Sequence, residues 1–204
     1  MRIGVLGGSF DPIHVGHLIL AEQARSEFKL DKVVFMPAKL PPHKLDKSLT
    51  HVDERFEMTR IAIHDHDDFM ISDLELRREG TSYTVDTIYQ LKALFPEAAI
   101  FFIAGADSIF QLETWMTFKE LLQMVTFLGA VRPGHSKDEF TKKVSELNEK
   151  YHADVRAIEF PMIDISSTII REKLYTGQSV RYLLHEDVLT YIKERGLYED
   201  KGRA

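Results

Sequence analysis

Gly7-Gly8-Ser9-Phe10-Asp11-Pro12-Ile13-His14-Val15-Gly16-His17 stands directly after the first apolar run, Ile3 to Leu6, and leads into the first helical pattern. Paired glycines at the end of a strand let the backbone approach a ligand closely. The helix start beyond them presents unbonded N–H groups and the positive end of the helix dipole, a natural place for phosphate. His14 and His17 are three apart, so they sit on one side of the first turn and face the same point. Each can donate a hydrogen bond to phosphate. Taken alone, a strand followed by Gly-Gly is also an ordinary tight turn. The two histidines could bind a metal, but no third ligand stands at convincing spacing. The dinucleotide fingerprint G-x-G-x-x-G does not match here. Phe10 reads as a packing residue and Asp11-Pro12 as the residues that shape the turn.

Outward from this stretch, short apolar runs alternate with helical patterns. His14 to Phe28 carries Leu18, Ala21, Ala24 and Phe28 at helical spacing. Val33 to Met36 is the next strand, ending at Pro37. Thr50 with Asp53 marks a helix start, Phe69 to Leu74 reads as a strand, and Thr84 is the expected N-cap of a helix running to Leu94. Ile100 to Ile103, apolar throughout, is the clearest buried strand. Thr117 to Met124 is helical, Val125 to Val131 a strand, and Ser136 with Glu139 forms a capping box for a charged helix to Tyr151. Val155 to Phe160 is the last strand, followed by helices Ser167 to Tyr175 and Glu186 to Arg195, the second closed by Gly196. Strands apolar on both faces and separated by helices predict an α/β fold, a mostly parallel sheet covered on both sides. No repeat or low-complexity linker appears, so residues 1–204 are expected to form one domain with helices over about 167–198 packed on it. The longest loop, Lys39 to Thr50, is an expected functional loop.

Composition sets bounds. At 204 residues the chain can bury about 70% of its unfolded surface, so it needs no staples. It has no cysteine, which removes disulfides, thiolate zinc sites and cysteine nucleophiles and suits a reducing cytoplasm. A net charge of -6 argues against a general nucleic-acid binder. No run approaches the roughly 18 apolar residues of a membrane span, and the N-terminus lacks the long apolar core of a signal peptide. The expected location is the cytoplasm.

A second constellation lies near the far end, Ile165-Ser166-Ser167-Thr168-Ile169-Ile170-Arg171. Ser166 or Ser167 can cap the helix, and its N–H groups and Arg171 can take phosphate oxygens. By itself it is an ordinary N-cap followed by a solvated arginine. With G-x-F-D-P-x-H-x-G-H at the first strand–helix turn, the chain resembles the nucleotidyltransferase superfamily, which joins nucleotides by adenylyl or cytidylyl transfer. Within it, P-A-K-L-P-P-H-K from Pro37, G-T-S-Y-T-V-D-T from Gly80, Gly105-Ala106-Asp107 followed by Trp115, Arg132-Pro133-Gly134 and the closing Y-L-L-H-E-D-V-L-T-Y-I-K-E-R-G-L-Y are similar to bacterial nicotinate mononucleotide adenylyltransferases. The likeness runs from Gly4 to Tyr198. Glu113 and His185 stand where proline is usual.

The resemblance implies a single-domain Rossmann-like nucleotidyltransferase fold and adenylyl transfer from ATP to nicotinate mononucleotide. It implies that His14, His17 and Arg171 carry the catalysis. ATP would be bound by Gly7, Gly8, Ser9, Phe10, His14, His17, Gly105, Asp107, Ile165, Ser166, Ser167 and Arg171. The mononucleotide would be bound by Gly8, Ser9, Lys44, Ser82, Tyr83, Thr84, Trp115 and Arg132, with His43 a weaker candidate. Trp115, the only tryptophan, could stack on a pyridine ring or simply pack in the core. Mg²⁺ is expected with ATP, mainly on phosphate oxygens and water, with no protein metal site; a homodimer stays open. Nicotinamide mononucleotide or phosphopantetheine as acceptor, and a nucleotide sensor without turnover, are the alternatives. His64-Asp65-His66-Asp67-Asp68 resembles a metal motif but falls between a helix end and a strand, where polar residues face water.

Overall fold

Each apolar run becomes a strand, and a crossover between every consecutive pair makes the pairs parallel. A computed structural model describes residues 1–41, 49–131, 136–161 and 163–199. In chain order the elements are β1 (Arg2–Gly8), α1 (Val15–Glu27), β2 (Lys32–Pro37), α2 (Val52–Ala62), β3 (Phe69–Ile71), α3 (Leu74–Arg77), α4 (Thr84–Leu94) and β4 (Ala99–Gly105). There follow α5 (Ala106–Phe110), α6 (Phe118–Met124), β5 (Thr126–Ala130), α7 (Lys137–Tyr151), β6 (Val155–Ile158), α8 (Ser167–Tyr175) and α9 (Glu186–Glu194). The sheet order is β3-β2-β1-β4-β5-β6, and every neighbouring pair is parallel. Val5 lies opposite Val34 on one side and Phe102 on the other.

The two-residue period of the strands divides the core. Leu6, Val33, Phe35, Ile103 and Leu128 pack with Leu20 and Ala24 of α1, Met58 of α2, Ile170 of α8 and Val188 and Ile192 of α9. Val5, Val34, Phe102 and Phe127 pack on the other face with Ile88 of α4, Ile109 of α5, Leu121 of α6 and Phe140 of α7. Each such fully buried side chain contributes about 1.5–3 kcal/mol. The two terminal helices therefore close the same cluster that α1 and α2 begin.

Several boundaries differ from the sequence expectations. Tyr83, not Thr84, is the N-cap of α4, and Thr84 is its first helical residue. His51 caps α2 by accepting from the Asp53 amide, one place after Thr50. The third strand stops at Ile71 because Leu74 turns into α3. The fifth and sixth strands end at Ala130 and Ile158, short of Val131 and Phe160. Residues 106–116 form α5 and a 3₁₀ turn, Leu112–Thr114, pieces too short to repeat a helical period. Glu113 in that turn accepts from Lys143 (2.6 Å), Lys150 (3.1 Å) and Tyr151 (2.5 Å). These donors hold its carboxyl down at about 2 and fasten the turn to α7.

Candidate active site

Strand order reverses between β1 and β4, so their C-terminal ends frame the crevice where open α/β sheets take ligands. Gly7 is exposed at its floor, Gly105 caps α5, and Asp107 stands exposed in the first turn of α5. Above β1 the chain makes a tight turn in which Phe10, buried, takes a left-handed backbone (φ 46°). A Cβ on Gly8 would meet the Phe10 ring at 2.9 Å.

His14 is the N-cap of α1 and His17 stands three residues on. Their rings stack with centroids 3.7 Å apart, and Phe10 meets His17 edge-on at 5.1 Å. Gly16 is what allows this: a Cβ there would lie 3.0 Å from the His14 ring. The His14 amide donates to His17 Nδ1 at 3.2 Å. An amide N–H only donates, so Nδ1 carries the lone pair and Nε2 holds the proton of the neutral ring. The cap thus fixes the His17 tautomer with Nε2–H as a donor.

The start of α8 is tied to this turn across more than 150 residues of sequence. Ser166 caps α8 by accepting from the Ile169 amide at 3.2 Å. Ser167 Oγ donates to the Pro12 carbonyl at 2.9 Å, and Arg171 Nη1 donates to the Asp11 carbonyl at 2.5 Å. Ile165 packs against the α1–α2 side of the core just before the cap. The start of α8 is therefore bonded directly to the turn that links the predicted ATP residues of β1 and α1.

Acidic side chains stabilise a helix start, and the distribution of them is informative. Among the described residues α2, α3, α4, α5, α6, α7 and α9 each carry Asp or Glu in the first turn. The starts of α1 and α8 carry none. Those two converge at the turn after β1.

Arg55 gave no signal in the sequence, and the motifs that hold Asp11 and Tyr198 did not show that the two meet. Arg55 of α2 is buried and donates to the carbonyls of Ser9 (2.6 Å), Ala38 (2.9 Å), Thr50 (2.9 Å) and Lys39 (3.3 Å). Its burial lowers its pKa. Asp11, also buried, accepts from Tyr198 Oη at 2.7 Å and from the Thr50 amide at 3.5 Å. Burial, followed by the Asp11 charge, pushes the Tyr198 phenol up. Only the folded chain puts these groups around the turn.

Of the predicted mononucleotide residues, Gly8 ends β1 and Ser9 lies in the turn after it, and Ser82, Tyr83, Thr84 and Trp115 stand on other segments. Ser82 donates its amide to the Leu40 carbonyl at 3.0 Å and accepts from the Leu40 amide at 3.3 Å. Tyr83 and Trp115 pack against the α4–α7 side of the core, and Trp115 meets Phe102 and Phe127 edge-on at 5.8 and 6.3 Å. Trp115 is half-buried, so the packing reading of this residue is observed directly. Thr87 Oγ1 donates to buried Glu75 at 2.7 Å and accepts from Arg78 at 3.0 Å; burial raises the Glu75 pKa. Lys44, Arg132 and His43 lie outside the described residues, as do 42–48 of the predicted loop.

The family model described as cytidylyltransferase-like matches residues 5–173. The "Probable nicotinate-nucleotide adenylyltransferase" of Desulfitobacterium hafniense is 43% identical over 197 residues, covering 97% of this chain and 95% of that protein. A protein of the same name from Thermoanaerobacter is 42% identical over 200 residues, covering 98% and 95%. The nicotinic acid mononucleotide adenylyltransferase of Plasmodium falciparum, solved with NaAD, superposes with a TM-score of 0.79 at 23% identity and 97% coverage of both chains. The chain belongs to the cytidylyltransferase-like family and, within it, to the nicotinate-nucleotide adenylyltransferases. None of the described helices is long and apolar enough to cross a membrane.

Proposed function

We propose that the chain transfers the adenylyl group of ATP to nicotinate mononucleotide, giving nicotinate adenine dinucleotide and pyrophosphate. The observation that carries this reading is the pair of acid-free helix starts, α1 and α8, meeting at the β1–β4 crevice around the stacked His14 and His17. The 5′-phosphate of the mononucleotide attacks the α-phosphorus of ATP in line. A new P–O bond forms there as the bond to the β-phosphate oxygen breaks and pyrophosphate leaves. A phosphate monoester is already an anion at pH 7, so the protein supplies position and charge rather than a nucleophile. His17 Nε2–H and the start of α1 stabilise the charge that builds on the α-phosphate, with His14 beside them. Ser166, Ser167 and Arg171 hold the leaving pyrophosphate. Gly7, Gly8, Ser9 and Phe10 line the floor, and Gly105 and Asp107 take the adenosine.

Bound with ATP, Mg²⁺ would neutralise phosphate charge. Among the described residues the grouping of three metal-ligating side chains is His64, Asp65 and His185, none of them in the crevice. Imidazole nitrogens are poor Mg²⁺ ligands, so phosphate oxygens and water would carry the cation, and Asp107 is an exposed carboxylate at the crevice. On the acceptor side Ser82 and Thr84 present hydroxyl and amide groups to the nicotinate carboxylate, with Tyr83 between them, and Trp115 offers a ring face to the pyridine.

The test is pyrophosphate release from Mg²⁺-ATP with nicotinate mononucleotide, nicotinamide mononucleotide or phosphopantetheine at equal concentration. Fast release with the nicotinate form is expected. Release with phosphopantetheine instead would overturn the acceptor. A melting temperature that rises with ATP, with no release on any acceptor, would make the chain a sensor. Trp115→Ala is expected to raise KM for the mononucleotide and leave that for ATP unchanged.

A further inference from the structure

We infer that His64, Asp65 and His185 form a binding site for Zn²⁺ or a similar late first-row divalent cation, at the place where α2 ends and α9 begins. One ligand atom from each of the three lies within 4.8 Å of the others. The chain separates His185 from the other two by more than 100 residues, and the packing of α9 on α2 joins them.

The His64 tautomer favours metal ligation. His64 Nδ1 is 2.8 Å from the Ile61 carbonyl. A carbonyl only accepts, so Nδ1 carries the hydrogen and the neutral ring holds its lone pair on Nε2. A backbone carbonyl on the far nitrogen is the usual support of a metal-bound histidine. His185 Nε2 lies 3.9 Å from Asp65 Oδ2. Its Nδ1 is 3.3 Å from the Asp187 amide and 3.7 Å from the Asp187 carboxylate. Since the amide only donates, Nδ1 carries the lone pair and Nε2 the hydrogen of the neutral ring; to ligate through Nε2 the ring must exchange this cap bond for donation from Nδ1 to the nearby Asp187 carboxylate. The two rings stand nearly perpendicular, 88°, with centroids 5.6 Å apart, so they are edge-on rather than stacked.

Two imidazole nitrogens and one carboxylate, with water in the fourth position, suit Zn²⁺ and not Mg²⁺. Zinc bonds of about 2.0–2.2 Å put tetrahedral ligands roughly 3.4 Å apart. Drawing the three atoms in by about 1 Å needs only side-chain rotation, and His64 and Asp65 are exposed. The end of α2 favours a cation and the start of α9 opposes one, so the donor set decides. The rest of the His64–Asp68 run is differently engaged: His66 stacks on Phe69 at 3.7 Å and bonds Glu22, and Asp68 pairs with Arg25 and Lys32. The site shares no residue with the crevice, and its test does not depend on turnover.

The experiment is a competition titration of the full-length, tag-free chain with Zn²⁺ against a chromophoric chelator, repeated as thermal melts. One equivalent of Zn²⁺ should bind in the micromolar range or tighter, unmoved by millimolar Mg²⁺. His64→Ala and Asp65→Asn, neither of which removes a helix cap, should each weaken it at least tenfold, and His66→Ala should not. At 100 times Kd, Zn²⁺ should raise the folded-to-unfolded ratio of the wild type about 100-fold and that of His64→Ala far less. Wild-type affinity in both His64→Ala and Asp65→Asn, displacement by Mg²⁺, or no binding at micromolar Zn²⁺ would each overturn the assignment and leave His185 and Asp65 as an ion pair in water.

Discussion

The start of α7 and the start of α1 solve the same physical problem in opposite ways. At α7, Ser136 accepts from the Asp138 and Glu139 amides, and those two acids face the helix dipole, so the end is satisfied by its own side chains. At α1 the cap is a histidine, the first turn has no acid, and a glycine makes room for the ring. The start of α8 stands between them: it has an ordinary serine cap but again no acid. What separates them is charge: the α7 start carries its own acids, and the α1 and α8 starts carry none. The two acid-free starts are also the two that the fold brings together.

The strongest way to break this comparison is His17→Ala. Losing the oriented Nε2–H should lower kcat by about 10²–10³ with little change in either KM, the cost of removing one donor aimed at developing charge. An unchanged kcat in steady-state pyrophosphate release would leave the α1 end as structure only. Arg55→Ala comes next, because it strips four carbonyls around the turn of a buried donor. A loss of at least about 3 kcal/mol in denaturant unfolding is expected, together with reduced kcat. Stability near that of the wild type would mean the turn holds itself.

Thr168→Asp puts an acid into the first turn of α8 and so makes that end resemble α7. The helix should gain about 0.3–1 kcal/mol by its dipole, while KM for ATP rises roughly tenfold, equivalent to about 1.4 kcal/mol of lost binding. Stability and affinity moving together would contradict the assignment of α8 to the nucleotide. The smallest effect belongs to Ser136→Ala. It should cost about 1 kcal/mol in a thermal melt and leave both kinetic constants unchanged, which sharpens the distinction between a structural cap and a functional one.

Legibility in the sequence followed distance along the chain. His14, Gly16 and His17 stand within one turn, so their meeting is a matter of helical spacing, and Ser136 with its acids is local in the same way. The segment from Ala106 to Met116 was not legible, because α5 and the 3₁₀ turn are each shorter than the period that would reveal them. Thr84 was placed one residue late as a cap because hydroxyl chemistry favours threonine, whereas the backbone leaves the helical region at Tyr83. For Trp115 the structure shows the packing reading, against Phe102 and Phe127.

The sequence by itself determined the alternation of buried strands and helices, hence the parallel sheet, and it determined the chemistry of the turn after β1. Periodicity and local hydrogen bonding act over a few residues and are written in consecutive letters. Only the tertiary structure decided that Arg55 and Tyr198 would buttress Ser9 and Asp11, that α8 would bond to Pro12 and Asp11, and that His185 would come to His64 and Asp65. Those contacts are made by helices that pack on one sheet face to bury apolar surface. Burial is non-directional, so the order of residues along the chain does not name the partners that it brings together.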